Sequence, residues 1–238
     1  MAGVESTGSN PDVSLLYEIN GYARDAPGWF DSTVTWIGEH GITFAMVLLV
    51  VACWWDVRRR EDAPTAVAGL LWAPLAAGLA LLVNIPIRDF VERPRPYVDH
   101  QGLAVLLPGK SDYSFVSDHA TLVMALAVGI FIAHRTFGLV GIALAFLEGF
   151  SRVYMGLHYP TDVVGGFALG TAVTLLLAPW AMALLTPLTR AAGNARHGHW
   201  LIAGGASPAA GHPQETESTA DPEGAPAPSG DRAKDLAA

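Results

Sequence analysis

Apolar runs long enough to cross a bilayer dominate this chain, and most of its charges fall between or outside them. A spanning helix needs about 17–25 mainly apolar residues. Five segments reach or approach that length: about Gly41 to Val57, Pro64 to Ile87, His119 to His134, Phe137 to Val153 and Val163 to Leu185. In hydrocarbon every backbone polar group needs a partner inside the protein, so runs of this kind fold as helices. The expected fold is therefore all-α, a polytopic membrane helix bundle of about five transmembrane helices plus N-terminal interfacial helices. The third and fourth spans are short and join as a helical hairpin at Arg135-Thr136. Composition agrees: 51% of the 238 residues are hydrophobic and 15% are charged, whereas a soluble domain carries roughly 25% charged residues.

The flanks give the layout. Trp54 and Trp55 followed by Arg58, Arg59 and Arg60 read as an aromatic belt and a positive-inside anchor. Val13 to Glu39 is too polar to span. It reads either as amphipathic helices in the interface or as a soluble helical pair packed on the bundle. Beyond Gly204 the chain is rich in Ala, Pro, Gly, Ser and acids, a composition that cannot offset its own ordering entropy. Three regions result: residues 1–40 as an N-terminal interfacial segment, 41–187 as a membrane domain, and 188–238 as a cytoplasmic, largely disordered tail. Met1 to Asn20 lacks a basic start and a long apolar stretch, so no cleaved leader is expected.

Placing Arg58–Arg60 in the cytoplasm also puts Arg135, Arg190 and Arg196 there, and leaves Arg24, Arg88, Arg93, Arg95, Lys110 and Arg152 outside. Arg88, Arg95 and Arg152 have a chemical reason to lie outside. Without them the bias is six to three for a cytoplasmic C-terminus. The net charge of −8 and the absence of a basic stripe argue against nucleic acid as a partner. Cys53 is the single cysteine, so an intramolecular disulfide and a cysteine metal site are both ruled out.

Three polar clusters fall on one expected face of the membrane: Arg88 to Pro96, Ser114 to His119, and Ser151 to Asp162. Arg88, Arg95 and Arg152 supply planar, permanently charged forks suited to phosphate oxygens. Ser117 can cap the third span, leaving the first N–H groups of that helix aimed at an anion. His119 and His158 can exchange protons near neutral pH, and Asp162, four residues after His158, can hold that ring in one tautomer. Glu148 lies inside the fourth span, where a charge needs a partner, and Arg152 is one helical turn away. Glu148 is expected to hold Arg152 from behind. Any one of these residues alone reads as an interfacial anchor, a helix cap or a bundle-facing acid; the joint pattern points to phosphoryl chemistry. His158 with Asp162 suggests a metal pair only weakly, because no third ligand is evident, and no metal or other cofactor is expected.

The order Arg88-x6-Arg95-Pro96, Ser117-x-His119 and Ser151-Arg152-x5-His158-x3-Asp162 resembles the three-part signature of the type 2 phosphatidic acid phosphatase and vanadium haloperoxidase superfamily. The resemblance covers about Gly41 to Leu185. Arg88 stands where the family has lysine, and Val116-Ser117-Asp118-His119 where it commonly has Pro-Ser-Gly-His. The Ser-Asp-His form, the run Glu18-Ile19-Asn20 and the five-span layout are similar to the bacitracin-resistance type of undecaprenyl-diphosphatase.

The resemblance implies that His158 attacks phosphorus, Asp162 orients it, and His119 protonates the leaving oxygen and then activates water. Arg88, Arg95, Ser117, the Asp118 N–H and Arg152 would hold the phosphate, with the Asp118 carboxylate turned away. It implies a multi-pass lipid phosphatase facing outside the membrane, whose partners are membrane lipids and a lipid phosphate substrate. Undecaprenyl diphosphate is preferred, ahead of phosphatidate and phosphatidylglycerophosphate. Competing classes are a non-catalytic transporter or lipid-binding protein, disfavoured because the ionisable groups gather at one set of helix ends, and a vanadate-dependent oxidase, disfavoured by the spans.

Overall fold

The computed structural model describes residues 10–109, 111–195 and 199–202. The proposed tail from Gly204 onward, with Lys110 and Arg196, lies outside the described residues. Among those described, all regular structure is helical. The elements are α1 (Pro11–Asp25), α2 (Gly28–Trp36), a π-helical turn (Ile37–Gly41), α3 (Ile42–Val57), α4 (Ala63–Val91), α5 (Pro96–Asp99), α6 (Asp118–Ala133), α7 (Arg135–Tyr154), α8 (Pro160–Asn194) and α9 (His199–Ile202).

Four stretches are long and apolar enough to cross a membrane: Gly28–Val57, Ala63–Asp99, Arg135–Tyr154 and Pro160–Asn194. The fifth expected span, α6, has 16 residues. At 1.5 Å per residue it falls somewhat short of a hydrocarbon core about 30 Å thick. Its position explains how it can be short: α6 packs against α4, α7 and α8 at once. Small residues permit the close approach. A β-carbon on Gly129 would come within 2.4 Å of Ala73 Cα in α4, and one on Gly170 within 2.6 Å of the Thr121 carbonyl oxygen.

The outward faces carry large apolar side chains, among them Phe44, Leu48, Leu75, Leu82, Leu176 and Trp180. In water such a surface would aggregate; against lipid tails it is the expected exterior. The first span begins earlier than the sequence pattern implies, because α2, the π turn and α3 run on without a break from Gly28 to Val57. By contrast, α1 packs across α7 and α8. Leu16 and Asn20 are fully buried there. Asn20 Nδ2 donates to the carbonyls of Ala104 and Tyr154 and its Oδ1 accepts from Ala104 N, which ties α1 to the loop after α5.

The chain direction alternates through α3, α4, α6, α7 and α8. The C-terminal ends of α4 and α7 therefore meet the N-terminal ends of α6 and α8, and all three polar clusters assemble at that end. The opposite end carries Arg58, whose guanidinium lies 4.0 Å from the Trp55 ring centroid, and an Asp56–His134 contact of 3.3 Å.

Candidate active site

Local sequence builds each wall of the site. Helix α4 stops at Glu92, which takes the left-handed conformation with φ 49°; Pro94 keeps the next residues extended, and Pro96 opens the short α5. The chain then turns Arg95 back beneath the bundle end. Ser117 caps α6, its hydroxyl accepting from Ala120 N. Tyr159-Pro160-Thr161-Asp162 starts α8 with proline in the first turn and an acid at the third position, whose carboxylate accepts from Tyr159 N at 2.9 Å. Between α7 and α8 the turn needs Gly156, at φ 70° with its Cα facing the Ala104 carbonyl. That tight turn sets His158 beside Arg95.

His158 is 5% exposed. Its Nδ1 lies 2.9 Å from the Ser114 carbonyl oxygen and 3.7 Å from Asp162 Oδ2. A carbonyl can only accept, so Nδ1 carries the proton and Nε2 keeps a lone pair. That lone pair faces Arg95 Nη1 at 3.3 Å. Asp162 is thus less the direct partner of the ring than the centre of its support. Its Oδ2 also accepts from the Ser114 hydroxyl, and its Oδ1 accepts from Arg93 Nη1 at 2.7 Å. The Ser114 carbonyl contact is invisible in the sequence, because a backbone carbonyl leaves no trace in residue type.

Burial pushes the His158 imidazole below its ordinary value; Asp162 opposes this, while Arg95 and Arg152 add to it. Lowering the pKa extends the neutral, nucleophilic form toward acid. The acid limb of kcat/KM should accordingly fall below about pH 6.5, the unperturbed imidazole value. A pH–rate profile of the purified protein checks this, and an acid limb above that value would contradict it.

The arginines are each met by carboxylates. Arg88 Nη1 donates to Asp118 Oδ2 at 2.7 Å and to Asp112 Oδ2 at 3.2 Å. The Asp118 side chain is further held by Asn84 Nδ2 at 2.7 Å. Arg95 donates to Asp112 and to the Leu157 carbonyl. Arg152 is fully buried: Nε donates to Glu148 Oε1 at 2.7 Å, Nη1 to Glu39 Oε2 at 2.8 Å, and Nη2 to the Gly38 carbonyl. The Glu148 contact is the one expected from helical spacing. Glu39 and Gly38 lie more than a hundred residues away in the π turn, an irregularity common near functional sites, and local spacing carries no sign of them. His119 is the second residue of α6 and half-buried. His100 stacks edge-on against Tyr17 and Tyr159, and no group of three potential metal ligands occurs among the described residues.

Arg93 is added to the site by the structure; its only sequence signal is the repeated Arg-Pro of Arg93-Pro94-Arg95-Pro96. It donates to Asp162 Oδ1, Thr161 Oγ1 and Asp12 Oδ2 at 2.7–2.8 Å, and its guanidinium covers the Tyr159 ring at 3.7 Å. Asp12, in α1, also accepts from Thr161 N and Oγ1. Arg93→Gln should lower kcat by about a hundredfold with a smaller change in KM, as for removal of an orienting partner. Arg93→Lys should recover part of it. A loss confined to KM would place Arg93 on the substrate instead.

Comparison with known proteins bears on this arrangement. The family model described as the PAP2 superfamily matches residues 69–185, which include all three clusters. Undecaprenyl-diphosphatase BcrC of Bacillus subtilis is 30% identical over 147 residues, covering 61% of this chain and 72% of that protein. The chain belongs to the PAP2 superfamily. A second relative, decaprenylphosphoryl-5-phosphoribose phosphatase of Mycobacterium tuberculosis, is 32% identical over 68% of this chain and 86% of its own length. The crystal structure of a transmembrane PAP2 type phosphatidylglycerolphosphate phosphatase from Bacillus subtilis superposes with a TM-score of 0.51 at 23% identity, covering 75% of this chain and 90% of that one. It shares the fold; with four stretches long and apolar enough to cross a membrane, and regular structure that is all helical among the described residues, this chain is a polytopic membrane helix bundle.

Proposed function

We propose that this PAP2 protein is a lipid phosphatase that hydrolyses a polyprenyl diphosphate of the undecaprenyl type at the extracytoplasmic face, through a phosphohistidine at His158. The observation that carries the reading is the state of His158, with Nδ1–H spent on Ser114 and Nε2 turned toward Arg95. The apolar surface of α4 supports a lipid substrate: a cavity of about 500 Å³ lined by Gly78, Leu81, Leu82 and Ile85 ends at Arg88 and Asp118. The names of the relatives support a prenyl tail. The positive-inside bias supports the outward orientation.

In this mechanism Nε2 forms a bond to the terminal phosphorus while the bond to the bridging oxygen breaks. His119 gives its proton to the departing lipid phosphate. It then takes a proton from water, whose oxygen attacks the phosphohistidine and releases inorganic phosphate. Arg88, Arg95, Arg152, Ser117 and the Asp118 N–H meet the charge on the transferring group, where preorganised donors act most strongly. With its carboxylate drawn to Arg88 and Asn84, Asp118 offers its backbone rather than its charge. No metal ion is assigned a step.

The test is phosphate release in detergent from undecaprenyl diphosphate, phosphatidate and phosphatidylglycerophosphate, with EDTA present. The expected order places the diphosphate first. Preference for either glycerolipid would reassign the substrate, release from none would end the enzymatic reading, and inhibition by EDTA would bring a metal into the mechanism.

A further inference from the structure

Between α5 and α6 the chain carries a carboxylate onto the cations assigned to the phosphate. Asp112 Oδ1 accepts from Arg95 Nη2 at 2.8 Å and Nε at 3.2 Å, while Oδ2 accepts from Arg88 Nη1 at 3.2 Å. The Nε–Nη2 edge is the side of the fork that takes carboxylate or phosphate. One planar anion thus bridges both guanidinium groups, as two oxygens of a phosphate would.

Asp118, the other acid on Arg88, is held by Asn84 and fixed in the first turn of α6. Asp112 instead lies in irregular chain with a side chain 45% exposed. The segment turns at Gly109, at φ 97°, a conformation that glycine adopts without cost. Burial works against ionisation of Asp112, but the Arg95 guanidinium outweighs it and holds the carboxyl below the usual range, so the group stays anionic at neutral pH.

We propose that Asp112 is a built-in competitor for the phosphate site, a specificity-determining residue that bridges Arg88 and Arg95 until a more highly charged head group displaces it. The proposal rests on the reading of Arg88 and Arg95 as phosphate ligands. Its chemical consequence is selection by charge. Most bilayer lipids present phosphodiesters with one negative charge, which gain little by replacing a carboxylate. A terminal phosphate monoester or diphosphate carries more charge and displaces Asp112 more readily. A site whose competent state is only partly populated binds more weakly by that fraction.

The experiment measures inorganic phosphate binding to the full chain in detergent, by calorimetry and by inhibition of turnover, for the parent, Asp112→Asn and Asp112→Ser. Both variants should bind phosphate about tenfold more tightly and be inhibited more strongly by phosphatidylglycerol in mixed micelles, as removal of an internal competitor requires. Glu92→Gln removes a neighbouring charge that is not on either arginine; it should change phosphate affinity by less than about twofold. Unchanged or weaker phosphate binding in both Asp112 variants would overturn the proposal, showing that Asp112 props the arginines rather than competes for them. If lipid phosphate release by the parent persists in that case, the phosphatase reading survives. Absence of both release and phosphate binding would remove both.

Discussion

His158→Ala should lower phosphate release by about 10⁴-fold or more, the scale seen when a covalent nucleophile is removed. The ring is buried, its Nδ1 is committed to a backbone carbonyl and its Nε2 faces Arg95, so no neighbouring imidazole can take its place without rebuilding the turn at Gly156. The measurement is initial-rate release from the preferred lipid. A parallel quench with labelled substrate should trap an acid-labile, base-stable phosphoprotein in the parent and none in the variant. His119→Ala should behave differently: the phosphoprotein should still form, more slowly, and should accumulate because its hydrolysis lacks a base. Activity retained in His158→Ala would discard the covalent route.

The second large effect concerns stability as well as turnover. Arg152→Met should destabilise the protein by about 3–5 kcal/mol, the cost of breaking a buried ion pair from one side. Both Arg152 and Glu148 are fully buried, and the Glu39 ion pair to Arg152 is broken at the same time. Thermal unfolding in detergent reads this directly. Adding Glu148→Gln to Arg152→Met should restore part of the stability, because the buried carboxylate charge that faced Arg152 is gone, yet leave turnover low. If the double variant regains turnover along with stability, Arg152 serves packing and has no part in holding the phosphate. Glu148→Gln alone should leave Arg152 with Glu39 and Gly38 and weaken turnover less than loss of the arginine. Unchanged activity together with an unchanged pH profile would remove Glu148 from the site.

The sequence and the structure agree best where chemistry stands out against an apolar background. Charged residues in a bundle are conspicuous, so Arg88, Arg95, Arg152, His158 and Asp162 could be read directly. Glu148 and Arg152 could be paired because four residues make one helical turn. Helix extents were less legible. The pattern of hydrophobicity marks where lipid begins, whereas α4 continues past it at the end with the polar clusters, α8 continues past it mainly at the opposite end, and α2 joins the first span through the π turn. The outer partners were not legible at all. Asp12, Arg93 and Thr161 are far apart in the chain, and Asp112 finds its arginines across a loop; local spacing carries no information about such meetings. The Ser114 carbonyl was hidden for another reason, since any residue would supply the same atom.

The Asp12 contact with α8 spans 149 positions of sequence. During synthesis Asp12 leaves the ribosome long before Thr161 and Asp162 exist to receive it. Arg93 must likewise wait for the final span before its guanidinium can close on both acids. Biogenesis therefore sets the order of events: a chain halted before the last insertion already carries Arg88, Arg93, Arg95, His119, Arg152 and His158 but lacks the Asp162 carboxylate that supports His158. The α1 clasp on Thr161 and Arg93 cannot close until α8 is in place.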